Sequence, residues 1–147
     1  MKKPDILMVK LSVLMGVIVH KNNQEFLLYL LQNIYFDNID NANADAAVEA
    51  MHDSIEWIHT QVWEHDGHDS SYVDNLNGRE AVKFFLTERV KEMQAEGIVH
   101  KVNKVITDGI SGAFQASVIG KGGTEKSFFG WVEIKDQKIS SYRVMPT

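Results

Sequence analysis

The pair Asp108-Gly109 lies between two runs rich in β-branched and apolar residues, Val99 to Thr107 and Ile110 to Ile119, and it constrains the fold more than any other feature. Asp-Gly readily takes the two positive φ angles of a type I′ turn, whose twist matches that of flanking strands. Gly120-Lys121-Gly122-Gly123 makes the next turn, a third strand runs from about Glu125 to Lys135, and Asp136-Gln137 leads into a fourth from Lys138 to Met145. Connections this short require antiparallel neighbours. The last third of the chain therefore reads as a meander.

The first half reads differently. Asn22 or Asn23 can cap a helix whose apolar stripe is Phe26, Leu27, Leu30, Leu31, Ile34 and Tyr35, and the polar run Asp37-Asn38-Ile39-Asp40-Asn41 is expected to break it. A second helix is expected from about Ala44, capped by Asn43. Ile55, Trp57 and His59 then alternate with Glu56, Ile58 and Thr60 in a strand period. Residues from Glu64 to Asn77 read as a loop. Asn77 with Glu80 suggests a capping box opening a third helix, with Val82, Phe85, Leu86 and Met93 buried and Gly97 at its end. The whole is an α+β arrangement in a single domain, residues 1–147, with residues 1–22 as an N-terminal extension.

Composition removes several function classes. A chain of 147 residues suits one domain and can bury a core without disulfides or metal. The net charge of −5 opposes general nucleic-acid binding, which needs a basic face. With 0 cysteines there is no disulfide, thiolate zinc site or cysteine nucleophile. Met1-Lys2-Lys3 followed by the apolar stretch Ile6 to Val19 has the outline of a short signal sequence, but no small-x-small cleavage site follows, and the stretch is too short to span a bilayer. The preferred reading is an amphipathic helix with Leu7, Leu11, Leu14 and Ile18 on one side, in a cytoplasmic protein. The alternative is an exported one.

The order helix, helix, strand, helix, meander resembles the nuclear transport factor 2-like superfamily, particularly its SnoaL-like branch, which shares the fold of ketosteroid isomerases. The residues carrying the resemblance are Asp53-Ser54-Ile55-Glu56-Trp57, Gly78-Arg79-Glu80-Ala81-Val82, Ile106-Thr107-Asp108-Gly109 and Lys138-Ile139, within a span from Gln24 to Pro146. The resemblance implies a curved antiparallel sheet forming a cone, with about three helices enclosing an apolar pocket. Its members include isomerases, epoxide hydrolases, dehydratases, cyclases and noncatalytic binding modules, so fold leaves the chemistry open.

Aligned on that resemblance, the ketosteroid isomerase base falls at His59 and its second Asp at Gly130. The Asp-Arg-Asp set of limonene-epoxide-hydrolase relatives falls at about Ala116, Phe114 and Val144. Neither set of carboxylates is present, and neither activity is expected. One strand alternation instead offers Phe114, Ala116, Val118, Phe128, Gly130, Val132 and Ile134 to a cavity, which His59, His100, Asn103, Tyr142 and Glu56 could also reach. Histidine titrates near neutrality and serves as acid or base, though a lone strand histidine is more often structural. The candidate catalytic residues are His59 and His100. The candidate ligand-binding residues are Trp57, Asn103, Phe114, Ala116, Phe128, Gly130, Val132 and Tyr142. Two functions survive: binding of a small hydrophobic molecule without catalysis, or histidine-assisted proton transfer on a small carbonyl or hydroxyl compound.

His65 and His68 beside Asp66 and Asp69 have ligand chemistry, but on a polar loop with no apolar scaffold, so no metal is expected; nor is any cofactor. Gly120-Lys121-Gly122-Gly123 joins two strands and is not a phosphate loop. Arg79 reads as a local partner of Glu80 or the sheet rim. If Phe128, Gly130 and Val132 face inward, Phe129 and Trp131 face outward. That suggests a homodimer through the outer sheet face, the alternative being that Leu7, Leu11 and Ile18 cover Trp131.

Overall fold

A computed structural model describes residues 23–63 and 71–147. The expected helix through Leu7, Leu11, Leu14 and Ile18 and the loop from His65 to Asp69 lie outside the described residues. The strands are β1 (Met51–Thr60), β2 (Val73–Asn77), β3 (Val99–Thr107), β4 (Ser111–Ile119), β5 (Glu125–Lys135) and β6 (Lys138–Pro146). They form one sheet in the order β2-β1-β6-β5-β4-β3. The sheet is curved and unclosed, and with the helices it makes an α+β fold.

The sheet is mixed rather than wholly antiparallel, because β1 runs parallel to β6 and pairs Trp57 with Tyr142. Short hairpins dictate direction in the meander, whereas the long excursion between β1 and β6 permits either direction. The stretch from Glu64 to Asn77, expected to be loop, contains β2, which pairs antiparallel with the end of β1. β2 is a short edge strand that half-buries only Asp74 and Leu76, so its sequence carries little apolar alternation.

The turns also differ in detail. Between β3 and β4, Asp108 Oδ1 accepts from the backbone N–H groups of Ile110 and Ser111, each at 2.9 Å, and only Gly109 has a positive φ, 93°. Asp108-Gly109 thus belongs to a side-chain-stabilised turn, not type I′. The two consecutive positive φ angles that type I′ requires occur at Asp136 (51°) and Gln137 (61°).

Residues 23–40 form one helix, α1, not a stripe ended at Asp37. It opens as α-helix, is wound as π-helix over Tyr29–Phe36, and closes as α-helix over Asp37–Asp40. Hydrogen bonds of the i→i+5 type bring residues five apart onto one face. Leu30 and Leu31 are accordingly buried together with Tyr35 and Phe36, while Phe26 is partly exposed. Two of its polar side chains cap the open edge of β3: Gln32 Oε1 accepts from Val102 N–H at 2.6 Å, and Asp40 Oδ2 from His100 N–H at 2.8 Å. Edge strands left bare invite unwanted pairing, and these bonds satisfy this one from within.

Helix α2 (Ala44–Ala47) is capped by Asn43, whose side chain accepts from Ala46 N–H at 3.1 Å, and continues through the 3-10 turn Val48–Ala50. Helix α3 (Arg79–Glu96) starts after Gly78 without a side-chain cap, because Asn77 is the last residue of β2. The expected capping box is absent. Arg79 pairs with Asp53 of β1 rather than with Glu80. Gly97 ends α3 at φ 67°, ψ 33°, the left-handed conformation glycine tolerates.

The helices cover one face of the sheet. Phe114 lies on that face, opposite Gly130 across the β4–β5 ladder, and a Cβ at Gly130 would fall inside the Phe114 ring. Gly130 therefore serves packing: its missing side chain is the seat of its neighbour's aromatic ring.

Candidate functional site

The sheet's concave face, α1 and α3 leave a cleft with a strongly aromatic wall. Tyr35 and Phe36 come from α1, Trp57 and His59 from β1, Phe85 and Arg89 from α3, His100 from β3, Phe128 from β5 and Tyr142 from β6. Its interior offers the centres of water molecules about 50 Å³, room for roughly three to five waters. A site for a drug-sized ligand is typically about 300–1,000 Å³. As it stands, the cleft is well below that size.

Both histidines stack on aromatic rings. His59 lies 5.0 Å from Trp57 with an interplanar angle of 5°, and Trp57 lies 6.1 Å from Tyr142 at 8°. This three-ring ladder is a direct result of the parallel β1–β6 register. His100 lies 5.0 Å from Phe36 at 12°. Beside the ladder, Trp57 Nε1–H donates to the Tyr35 hydroxyl at 3.2 Å, and the Tyr35 and Tyr142 rings meet edge-on with centroids 5.2 Å apart. Burial pushes both phenols well above their ordinary range, so both remain neutral hydrogen-bond donors at physiological pH.

The two imidazoles are held unequally. His100 Nδ1 lies 2.7 Å from Asp40 Oδ1, while the other carboxylate oxygen takes the His100 backbone N–H. An ionised carboxylate can only accept, so Nδ1 carries the proton in this pair and Nε2 is the nitrogen left for the cleft. His59 Nδ1 lies 3.7 Å from Asp74 Oδ2, beyond hydrogen-bond reach, and both atoms are buried without a partner among the described residues. Burial pulls the His59 pKa down, Asp74 opposes this, and Arg89 and His100 reinforce it. Arg89 is itself lowered chiefly by burial; its Nη1 donates to Glu92 Oε2 at 3.0 Å.

Of the candidates named from sequence, His59, His100, Trp57, Phe128 and Tyr142 line this one cleft. Phe114, Ala116 and Val132 are buried in the core beside it, and Gly130 is filled by the Phe114 ring. Asn103 sits elsewhere: it is the residue skipped by the ladder at the β3 bulge, is exposed, and donates to Ser117 Oγ at 2.9 Å. Positions three apart on a strand point to opposite faces, so His100 and Asn103 could share a cavity only with a bulge between them. Glu56 likewise faces outward, and His52 bonds to Asp136 at 3.3 Å.

Sequence reasoning missed Tyr35, Asp40, Gln61, Asp74 and Arg89. Asp40 stands in a run read as a helix breaker. The available signal was Ile39, an apolar residue whose burial requires the helix to continue past Asp37. Arg89 lies one turn before Met93 and one after Phe85 on the buried stripe of α3, where a cation reads as a misplaced surface residue.

No family model and no curated protein matches the sequence. Solved structures do. A ketosteroid isomerase candidate from Kribbella flavida superposes with TM-score 0.59 at 14% identity, covering 85% of this chain and 80% of its own. A limonene-epoxide-hydrolase-like enzyme of M. tuberculosis gives 0.56 at 16% identity, with 84% of each chain covered. A de novo designed protein with a curved β-sheet gives 0.55 at 15% identity, covering 84% of this chain and 83% of its own. At these identities the likeness speaks for fold alone, and the chain has the nuclear transport factor 2-like fold, shared with ketosteroid isomerase-like and SnoaL-like polyketide cyclase proteins.

Proposed function

We propose that this protein binds a small, largely apolar molecule in the aromatic cleft. The observation that carries the reading is that two imidazoles and the Trp57–Tyr142 wall face one cavity of the concave face. Contact with the aromatic side chains lining the cleft would supply affinity through buried area, and the few polar groups would orient the ligand. Titrating isotopically labelled protein with cyclohexanol tests this. Chemical-shift changes should concentrate on the Trp57 indole and the His59 and His100 rings; changes confined to the outer sheet face, or none, would reject the cleft.

A second reading, proton transfer, rests on the 2.7 Å contact between Asp40 and His100 Nδ1. A carboxylate that holds one ring nitrogen directs the other as a base toward a bound substrate. His100 Nε2 would take the proton at C2 of an α-hydroxy ketone, becoming imidazolium and leaving an enediolate, and return the proton to carbon. Exchange of the C2 proton of 2-hydroxycyclohexanone in D₂O, followed by NMR, should exceed the buffer rate and fall with His100→Gln. Exchange no faster than buffer would remove catalysis and leave binding.

The homodimer belongs to this proposal as well. Phe129 and Trp131 are 54% and 48% exposed on the outer face, on the same side of the sheet as Met145 and Ile106. Aromatic patches of this kind mark interfaces. Light scattering should return about twice 16.7 kDa, and Trp131→Asp should halve the mass; a monomeric wild type would refute the dimer.

A further inference from the structure

Gln61 follows the last residue of β1, where its backbone N–H donates to the Tyr72 carbonyl at 3.3 Å, and its side chain is only 2% exposed. Its amide has one orientation available. Nε2 donates to the Trp63 carbonyl at 3.1 Å, and turning the amide over would set two oxygens against each other. Oε1 is thereby committed to the opposite direction, where it has no hydrogen-bond partner among the described residues, although Gln61 lines the cleft. A buried acceptor without a donor is costly to keep. Close by, Asp74 Oδ2 is a second buried acceptor without a partner, standing behind His59.

Resting on the proposal that the cleft binds a small molecule, we propose that its ligand is a hydrogen-bond donor: a small cyclic or branched alcohol, or an amine of similar size, whose O–H or N–H is received by Gln61 Oε1. A ketone of the same skeleton has only acceptor atoms and leaves Gln61 Oε1 unmatched. The cleft volume limits the skeleton to about one ring.

Cyclohexanol and cyclohexanone form the matched pair, one carrying a donor and the other none. With the wild-type protein, NMR titration should show the alcohol binding at least about tenfold more tightly than the ketone. The side-chain amide signals of Gln61 should move with the alcohol and not with the ketone. Gln61→Met, similar in length but lacking the acceptor, should bring the two affinities within about threefold of each other. Should that variant fail to fold, the wild-type amide signals decide alone. Equal affinities, or a ketone that binds more tightly, would overturn the donor assignment while the binding cleft stands. Failure of both compounds to perturb the cleft would overturn the two proposals together.

Discussion

His59 and His100 occupy matching positions on opposite sides of one cleft, each stacked on an aromatic ring and each facing an aspartate, yet only one is hydrogen-bonded to it. At His100 the carboxylate approaches to 2.7 Å and its second oxygen is also used. At His59 the separation is 3.7 Å and the facing atoms remain unmatched. The difference follows from where each aspartate comes from. Asp40 ends a helix that crosses the edge of β3, so its side chain meets both the backbone and the ring of His100. Asp74 is the cross-strand neighbour of His59 on β2, and neighbours on one sheet face stand side by side rather than head to head. Same-face pairing brings charges near one another; a crossing helix brings them into a bond.

The largest expected effect separates the two aspartates by stability. Asp40→Ala strands a buried ring nitrogen and a backbone N–H, and should cost about 2–4 kcal/mol. Asp74→Ala removes a carboxylate already short of partners and should cost less than about 1 kcal/mol. Urea denaturation of both variants measures this, and equal losses would erase the distinction.

The next effect is on the titration of His59. Folding favours its neutral ring, so its contribution to stability is complete above the ordinary histidine pKa of 6.5 and is lost as pH falls below that value. Asp74 raises this pKa and Arg89 lowers it. Asp74→Asn should therefore shift the NMR titration of His59 further down, and Arg89→Met should shift it up. No shift in either variant would show that burial alone controls the ring, and opposite signs would refute the assigned roles of Asp74 and Arg89.

The smallest effect sharpens the boundary of the site. Asn103→Ala, outside the cleft at the β3 bulge, should change stability by no more than about 0.5 kcal/mol and leave the His59 titration and alcohol binding unmoved. A changed binding constant would bring Asn103 back into the site.

The elements legible in advance were those with strong local chemistry. The β3–β6 strands were readable because apolar alternation and glycine-bearing turns reinforce each other, and Asn43 and Gly97 marked helix ends through their own hydrogen-bonding and φ preferences. β2 was not legible, because a short edge strand buries little. The π-wound part of α1 was not either: pairs such as Leu30-Leu31 and Tyr35-Phe36 fit a four-residue stripe nearly as well as a five-residue one, and only packing against the sheet selects between them. The histidines could be picked out by their chemistry, but not the aspartates that distinguish them.

The sequence by itself determined the α+β class, the meander and the alternation that sends Phe128 inward and Phe129 and Trp131 outward, because these depend on neighbours within a few residues. The tertiary structure decided the parallel β1–β6 seam and the Asp40–His100 bond, 60 residues apart in the chain. Those contacts form only where distant segments are brought together, and their energies depend on burial and direction, which no local pattern encodes.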